Sequence, residues 1–495
     1  MRDGLVGILR RRVLVLALTS LLGSCASSDG PSVVGLSGRP SLVLSAFDLG
    51  PLGYTADEFF VAGHAKSFKL ATPATPDGRW TATAAQTAPY VTRVVVVKPT
   101  DPGKFNGTVV VEWLNVSAGS DGAVAWNAMH RELIRDGFAY VGVSAQQAGV
   151  EGSANPGVAD LPLKRADPTR YGHLSHPGDA FAYDIFSQAG ELARRGDRAG
   201  LLGALNVRRV IAVGDAQSAL FLTTYVNAVD PLARVFDGFL LSSRIAVAAP
   251  LDGTSVYQPR NATAAVRLRP DLRVPVMSVI PETDLVGGGE LAGFQAARQP
   301  DTARLRTWEI AGASHIDTYM LRAGFADSGP ASSRALAVAC RPTDQILGAR
   351  LAEPIDCDLQ HHYVLEAALW RLDHWIQTGE APPHAPPIVL DGGRRPRPTR
   401  DANGAAQGGV RTPWLDTPIA RVSGVGNSGG PLGFLVGVAA PFDATKLGQL
   451  YPGGRGEYLR RFSGSLDAAI DRGVVLPADR QEILQLAALG WRGDR

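Results

Sequence analysis

Apolar residues along this chain fall into short β-branched runs separated by stretches of helical spacing. Tyr90–Lys98 (YVTRVVVVK) and Thr108–Leu114 (TVVVEWL) are rich in valine and joined by a Pro/Gly/Asn turn, which predicts two strands. Ala125–Arg135 repeats at helical period and stops at Gly137, and Phe138–Ser144 returns to strand. The alternation continues with a helix in Pro177–Arg194, a strand at Val207–Val213, a helix at Ser218–Ala228 and a strand at Phe236–Ser242. Two more strands follow, at Val274–Ile280 and Leu305–Ile310. Strands apolar on both faces and alternating with helices predict an α/β architecture: a mostly parallel central sheet covered by helices on both faces. Ligand sites in such sheets lie at the carboxyl ends of the strands. Residues 385–440 carry so much Gly and Pro that they predict a long ordered excursion or a mobile loop, not a second core. Gly454–Ile470 and Ala478–Leu489 predict a helical C-terminus. No internal repeat is visible.

The first residues break this pattern. Arg2, Arg10, Arg11 and Arg12 precede an apolar run, Val13–Leu22, in the layout of a signal peptide. The run is about half the ~20 residues a membrane-spanning helix needs. It ends in Leu22-Gly23-Ser24-Cys25, which resembles a bacterial lipobox, so residues 1–24 are expected to be a leader and Cys25 the lipidated residue. Residues 25–41, small, polar and Gly/Pro-rich, are expected to be a flexible tether, with 42–495 a single domain. This places the protein at the bacterial cell envelope, on its periplasmic or extracellular face, in contact with membrane only through the anchor. Cys340 and Cys357 then form the natural disulfide pair of an oxidising compartment. With 45% hydrophobic residues, 19% charged and a net charge of +2 in 495 residues, nothing points to nucleic acid as a partner. No Cys/His cluster suggests a metal or cofactor, and His361-His362 is expected on a surface helix. Trp113, Trp126 and Tyr319 are expected in the core rather than lining a pocket.

The sharpest local feature is Val210–Ala219 (VIAVGDAQSA): a buried strand, a small residue, a three-residue turn, a second small residue and a helix. That is the frame of a nucleophile elbow, a tight strand-to-helix turn that lifts one side chain above the sheet. The turn crowds backbone on backbone, so small residues are needed two before and two after its tip. Gly214 and Ser218 fill those places, which puts Ala216 at the tip, where no nucleophilic atom exists. A tip at Ser218 would place Leu220 at a small position, and a tip at Asp215 would place Gln217 there; both frames fit poorly. Further on, Pro281-Glu282-Thr283-Asp284 follows one strand and Ala311-Gly312-Ala313-Ser314-His315 the next. Nucleophile, acid, histidine is the chain order of a hydrolase triad on such a sheet. His315 is the candidate base, and Asp284 is preferred as acid, with Glu282 the alternative. Oxyanion stabilisation requires backbone N–H groups, for which Gln217 and Asn115 are the candidates.

From about Leu42 to Leu489 the chain resembles the bacterial α/β-hydrolase domain family of esterases. The resemblance rests on EWLNVSAG (112–119), GDAQSA (214–219) in place of a GxSQSA elbow, PETD (281–284), AGASHID (311–317) and HHYVLEAALWRLDHWIQTGEAPP (361–383). It implies an α/β-hydrolase fold and hydrolysis of a small-molecule or lipid ester by a serine triad, without a cofactor, and it places Ala216 where serine belongs. Three readings follow. The protein is a hydrolase of the serine carboxylesterase type by lineage; or an inactive envelope pseudo-hydrolase that binds an ester, lipid or polymer fragment; or a lyase-type site in which His315 and Asp284 exchange protons.

Overall fold

In the computed structural model the valine runs are strands of one nine-stranded sheet. The structure describes residues 30–152, 160–195, 200–255, 264–288, 291–329, 333–393, 396–430 and 432–493. The expected leader and Cys25 lie outside the described residues. The strands are β1 (Ser32–Leu36), β2 (Tyr54–Leu70), β3 (Ala82–Pro99), β4 (Thr108–Trp113), β5 (Ala139–Val143), β6 (Arg209–Asp215), β7 (Gly238–Ser242), β8 (Val276–Pro281) and β9 (Leu305–Ile310). They lie side by side in the order β1-β2-β3-β5-β4-β6-β7-β8-β9. The pairs β1/β2, β2/β3 and β3/β5 are antiparallel, and β5, β4, β6, β7, β8 and β9 form a parallel block.

The alternation of side chains along a strand explains why β4, β5, β7 and β8 are buried at every position. Val109, Val111 and Trp113 of β4 share one core with Val210 and Ala212 of β6. Helices α2 (Ala182–Arg194) and α3 (Gln217–Thr224) cover that face. Val110, Ile211 and Val213 point the other way, into a second core closed by α1 (Val124–Arg135) and α5 (Leu359–Thr378). The C-terminal helices Gly454–Asp471 and Arg480–Gly490 pack outside that second core. Trp113, Trp126 and Tyr319 are core residues, each no more than 1% exposed. Glu112 is the one carboxylate in the middle of β4. Its oxygens accept the N–H groups of Ala125 and Trp126 at 2.8 and 2.9 Å and the Tyr140 hydroxyl at 2.8 Å. A buried acid thereby satisfies the open N–H groups of the first turn of α1, while burial pushes its own pKa up to about 7. Among the described residues no helix is long and apolar enough to cross a membrane.

Two expectations are corrected here, and one element was not foreseen. The tether does not extend to residue 41, because Ser32–Leu36 pairs antiparallel with Glu58–Ala62 as the edge strand β1. Its Val-Val-Gly-Leu core supplies enough apolar surface to add to an open sheet edge. His361 and His362 are not on a surface but 1% and 3% exposed in the first turn of α5, because that helix is buried between the sheet and the C-terminal helices. And β2 with the first half of β3, a long antiparallel hairpin, was not signalled by hydrophobic pattern, since much of it is exposed. The Gly/Pro-rich excursion is ordered where described. Ile388, Ala405, Ala406 and Leu415 pack with Ile280 and Ala311, and Val410 pairs in parallel with Ile310, adding one residue to the sheet beyond β9. Cys340 and Cys357 are joined by a disulfide.

Candidate active site

Strand β6 ends at Asp215 and α3 begins at Gln217, so the whole reversal is made by one residue. Ala216 has φ 52° and ψ −119°, a conformation that is costly for any residue with a Cβ, on the order of 1–3 kcal/mol. Its neighbours explain how the chain tolerates the bend. A Cβ at Gly214 would stand 2.9 Å from both the Ser218 carbonyl carbon and Leu222 Cδ1, closer than real contacts allow, so only glycine fits there. Ser218 is fully buried, with its hydroxyl unpartnered. The Ala216 N–H donates to Ser242 O at 3.0 Å, pinning the bend to β7. Ala216 and Gln217 remain half-buried and reachable while residues 218–222 are buried. The bend therefore falls at 216, and neither Ser218 nor Asp215 takes its place. Asp215 is buried, with Oδ2 accepting from Ser243 Oγ at 2.9 Å.

Two strands away, β8 and β9 run parallel with Pro281 opposite Ile310. The residues that follow them meet. The short helix α4 (Glu282–Val286) carries Asp284, and His315 Nδ1 lies 2.7 Å from Asp284 Oδ1. Thr283 locks the two turns together: its hydroxyl accepts the His315 N–H at 3.0 Å and donates to Gly424 O. Glu282 points elsewhere. It accepts the Gly312 N–H at 2.8 Å and the Ser423 hydroxyl at 3.2 Å, and pairs with Arg400 at 2.7 Å. Its side chain thus fastens the excursion to the sheet, and Asp284 alone of the two touches the imidazole.

Burial opposes charge on His315, but the Asp284 carboxylate and its hydrogen bond outweigh it. The charge of Asp215 adds to them, and the pKa rises to about 9. Asp215 itself is raised by burial and held back by His315, among others, so the residue next to the bend and the imidazole share one electrostatic neighbourhood. The raised pKa favours the charged ring over the neutral one, and Nδ1 is committed to Asp284.

The two oxyanion candidates part ways. Gln217 is the first residue of α3, where a backbone N–H has no acceptor within the helix. The Asn115 N–H, in contrast, donates to Gly122 O at 3.0 Å and is not free. The expected role of Asn115 is corrected on this ground: the sharp turn after β4 closes on itself and consumes the amide. What Asn115 does instead is brace the bend, its Nδ2 donating to Asp215 O at 3.1 Å. Sequence reasoning weighed Asp215 only as a rival tip and passed over Thr283; no spacing rule announces either, since both act through contacts between distant loops.

A family model described as alpha/beta hydrolase domain matches residues 28–485. No curated protein sequence matches the chain. Among solved structures, a cold-adapted esterase from an Arctic intertidal metagenomic library is similar at 12% identity and TM-score 0.28, over 56% of this chain and 89% of that one. An esterase from Pyrococcus furiosus is similar at 10% identity and TM-score 0.28, over 55% of this chain and 87% of the other.

Proposed function

The chain belongs to the alpha/beta hydrolase domain family, and from that premise we propose that it is an esterase-type acyl-transfer site from which the covalent step is missing. The observation that carries this reading is the backbone of Ala216: a strained strand-to-helix bend that presents a methyl group where an ester hydrolase needs a hydroxyl. In the proposal a small-molecule or lipid ester sits with its carbonyl over Ala216 and its oxygen toward the Gln217 amide. His315, oriented by Asp284, faces it. The charges of Asp284 and Asp215 hold a proton on His315 up to about pH 9; once the ring is neutral, a serine at 216 would lose its proton to it and attack the carbonyl carbon, and water would later release the acyl group. With alanine there, no bond to the acyl carbon can form. Loss of a nucleophile lowers kcat on the order of 10⁶-fold, leaving roughly 10³–10⁴ over water from binding and the oxyanion amide. The chain as it stands binds esters and does not turn them over at a metabolic rate. The test is a serine-directed fluorophosphonate probe: no labelling is expected, and labelling at Ser218 or Ser243 would contradict the assignment.

A second reading draws on the raised pKa of His315. An imidazolium held beside a reactive centre can donate a proton or bind an anion, which supports lyase-type acid–base chemistry with Asp284. It predicts proton exchange at the carbon next to a bound carboxylate, lost in His315→Gln.

Export and lipid anchoring at Cys25 complete the proposal. The basic leader and lipobox support them, and so does the Cys340–Cys357 disulfide, which suits an oxidising compartment. Envelope fractionation of the full chain and of Cys25→Ala tests this part: membrane association is expected to disappear in the variant.

A further inference from the structure

Beneath the loop that carries His315 lies a group of ionisable side chains that the hydrolase reading does not use. Asp317 ends that loop, Asp358 precedes α5 and His361 sits in its first turn; they are 2%, 7% and 1% exposed. One donor atom from each lies within 4.8 Å of the other two. Asp317 Oδ2 and His361 Nδ1 are 3.6 Å apart, too far for a hydrogen bond and close to the spacing of two ligands around one small ion. His361 Nε2 has no partner among the described residues. A fully buried imidazole faces a carboxylate through Nδ1 at ion-pair distance, while its other nitrogen is left unpartnered.

Charge balance points the same way. Among the described residues no lysine or arginine pairs with Asp317 or Asp358, His361 is the counter-charge beside them, and Asp356 stands close enough to add its charge to both. Three carboxyl groups around a single imidazole exceed what one ring can neutralise, and excess buried charge is costly. A cavity of about 10 Å³ borders Asp358 but not Asp317 or His361; Asp356, Ser314 and Ser423 also line it, and it is about the size of one water-sized sphere.

We propose that Asp317, Asp358 and His361 bind one first-row divalent ion of the zinc or manganese class. Imidazole beside carboxylates favours such ions over calcium or magnesium. Coordination displaces any proton from His361 Nδ1 and from Asp358 into solvent. The ion ties the start of α5 to the His315 loop, because Asp358 Oδ2 also accepts the Ser314 N–H at 2.5 Å and its hydroxyl at 3.2 Å. The Cys340–Cys357 bond anchors the residue next to Asp358. This site does not depend on what residue 216 does, and it runs against the sequence expectation of no metal.

The experiment uses tag-free, full-length protein stripped with a chelator, dialysed, then loaded separately with Zn²⁺, Mn²⁺ and Co²⁺. One equivalent of Zn²⁺ or Mn²⁺ retained through gel filtration is expected, with a rise in Tm. His361→Gln and Asp358→Asn are each expected to weaken binding by at least ~100-fold. Should the variants fail to fold, the Co²⁺-loaded protein decides: one hyperfine-shifted imidazole N–H resonance is expected from the histidine ligand. No stoichiometric retention, retention unchanged in both variants, or a Co²⁺ form without that resonance would overturn the site.

Discussion

Asp284 and His315 leave the carboxyl ends of neighbouring parallel strands and meet with Oδ1 2.7 Å from Nδ1. Glu282, only two residues from Asp284, faces Arg400 and the Gly312 amide instead. The two carboxylates therefore have separable effects. Asp284→Asn should lower the pKa of His315 well below about 9, read by NMR titration of the imidazole. Glu282→Gln should leave that titration in place and lower stability by about 2 kcal/mol, through loss of a buried, charge-assisted pair. The opposite assignment of effects would make Glu282 the partner of the imidazole.

The same pair makes stability depend on pH. The folded-state pKa of His315, about 9, lies above its unfolded value of about 6.5. The imidazolium–carboxylate contribution is thus complete below pH ~6.5 and is lost as pH rises through about 9. Across that window the protein should lose up to roughly 3 kcal/mol from this group. Chemical denaturation at pH 6.5 and 9.5 checks it, and the difference should shrink in His315→Gln.

The bend at residue 216 gives an unusual stability prediction. Removing a side chain normally weakens a fold, but Ala216 holds φ 52° and ψ −119°, which glycine adopts without steric conflict. Ala216→Gly should stabilise by about 1 kcal/mol, the relieved strain less the added unfolded-chain entropy. Gly214→Ala should do the reverse and disrupt the turn, because its Cβ meets the Ser218 backbone. Thermal unfolding of the two variants reads both signs.

The disulfide closes a 17-residue separation, for which loop entropy gives about 3 kcal/mol. Cys340→Ser with Cys357→Ser should lower Tm by several degrees without altering His315 titration, since neither cysteine touches the imidazole. A titration shift in the double variant would mean that the disulfide positions the His315 loop.

What the sequence disclosed follows from what each signal measures. The buried strands Thr108–Trp113 and Arg209–Asp215 were legible because burial on both faces forces unbroken apolar runs. The elbow was legible because crowding at Gly214 restricts residue type. Asp284 could be preferred to Glu282 from position alone, but only the Arg400 contact, made by a segment more than a hundred residues away, explains why Glu282 is unavailable. Asn115 was misread because its amide is closed by Gly122, a contact that no motif encodes. His361 reads as a surface residue because the first turn of α5 is polar, and its burial comes from packing between the sheet and the C-terminal helices, which the local pattern does not encode.

The central claim is that residue 216 occupies the nucleophile position above an intact His315–Asp284 pair. Ala216→Ser tests it directly, by fluorophosphonate labelling and p-nitrophenyl ester turnover of the variant beside the original chain. Labelling at position 216 and a gain in kcat on the order of 10⁶-fold, both abolished by adding His315→Gln, are the predicted result. A folded Ala216→Ser protein that neither labels nor hydrolyses would contradict it.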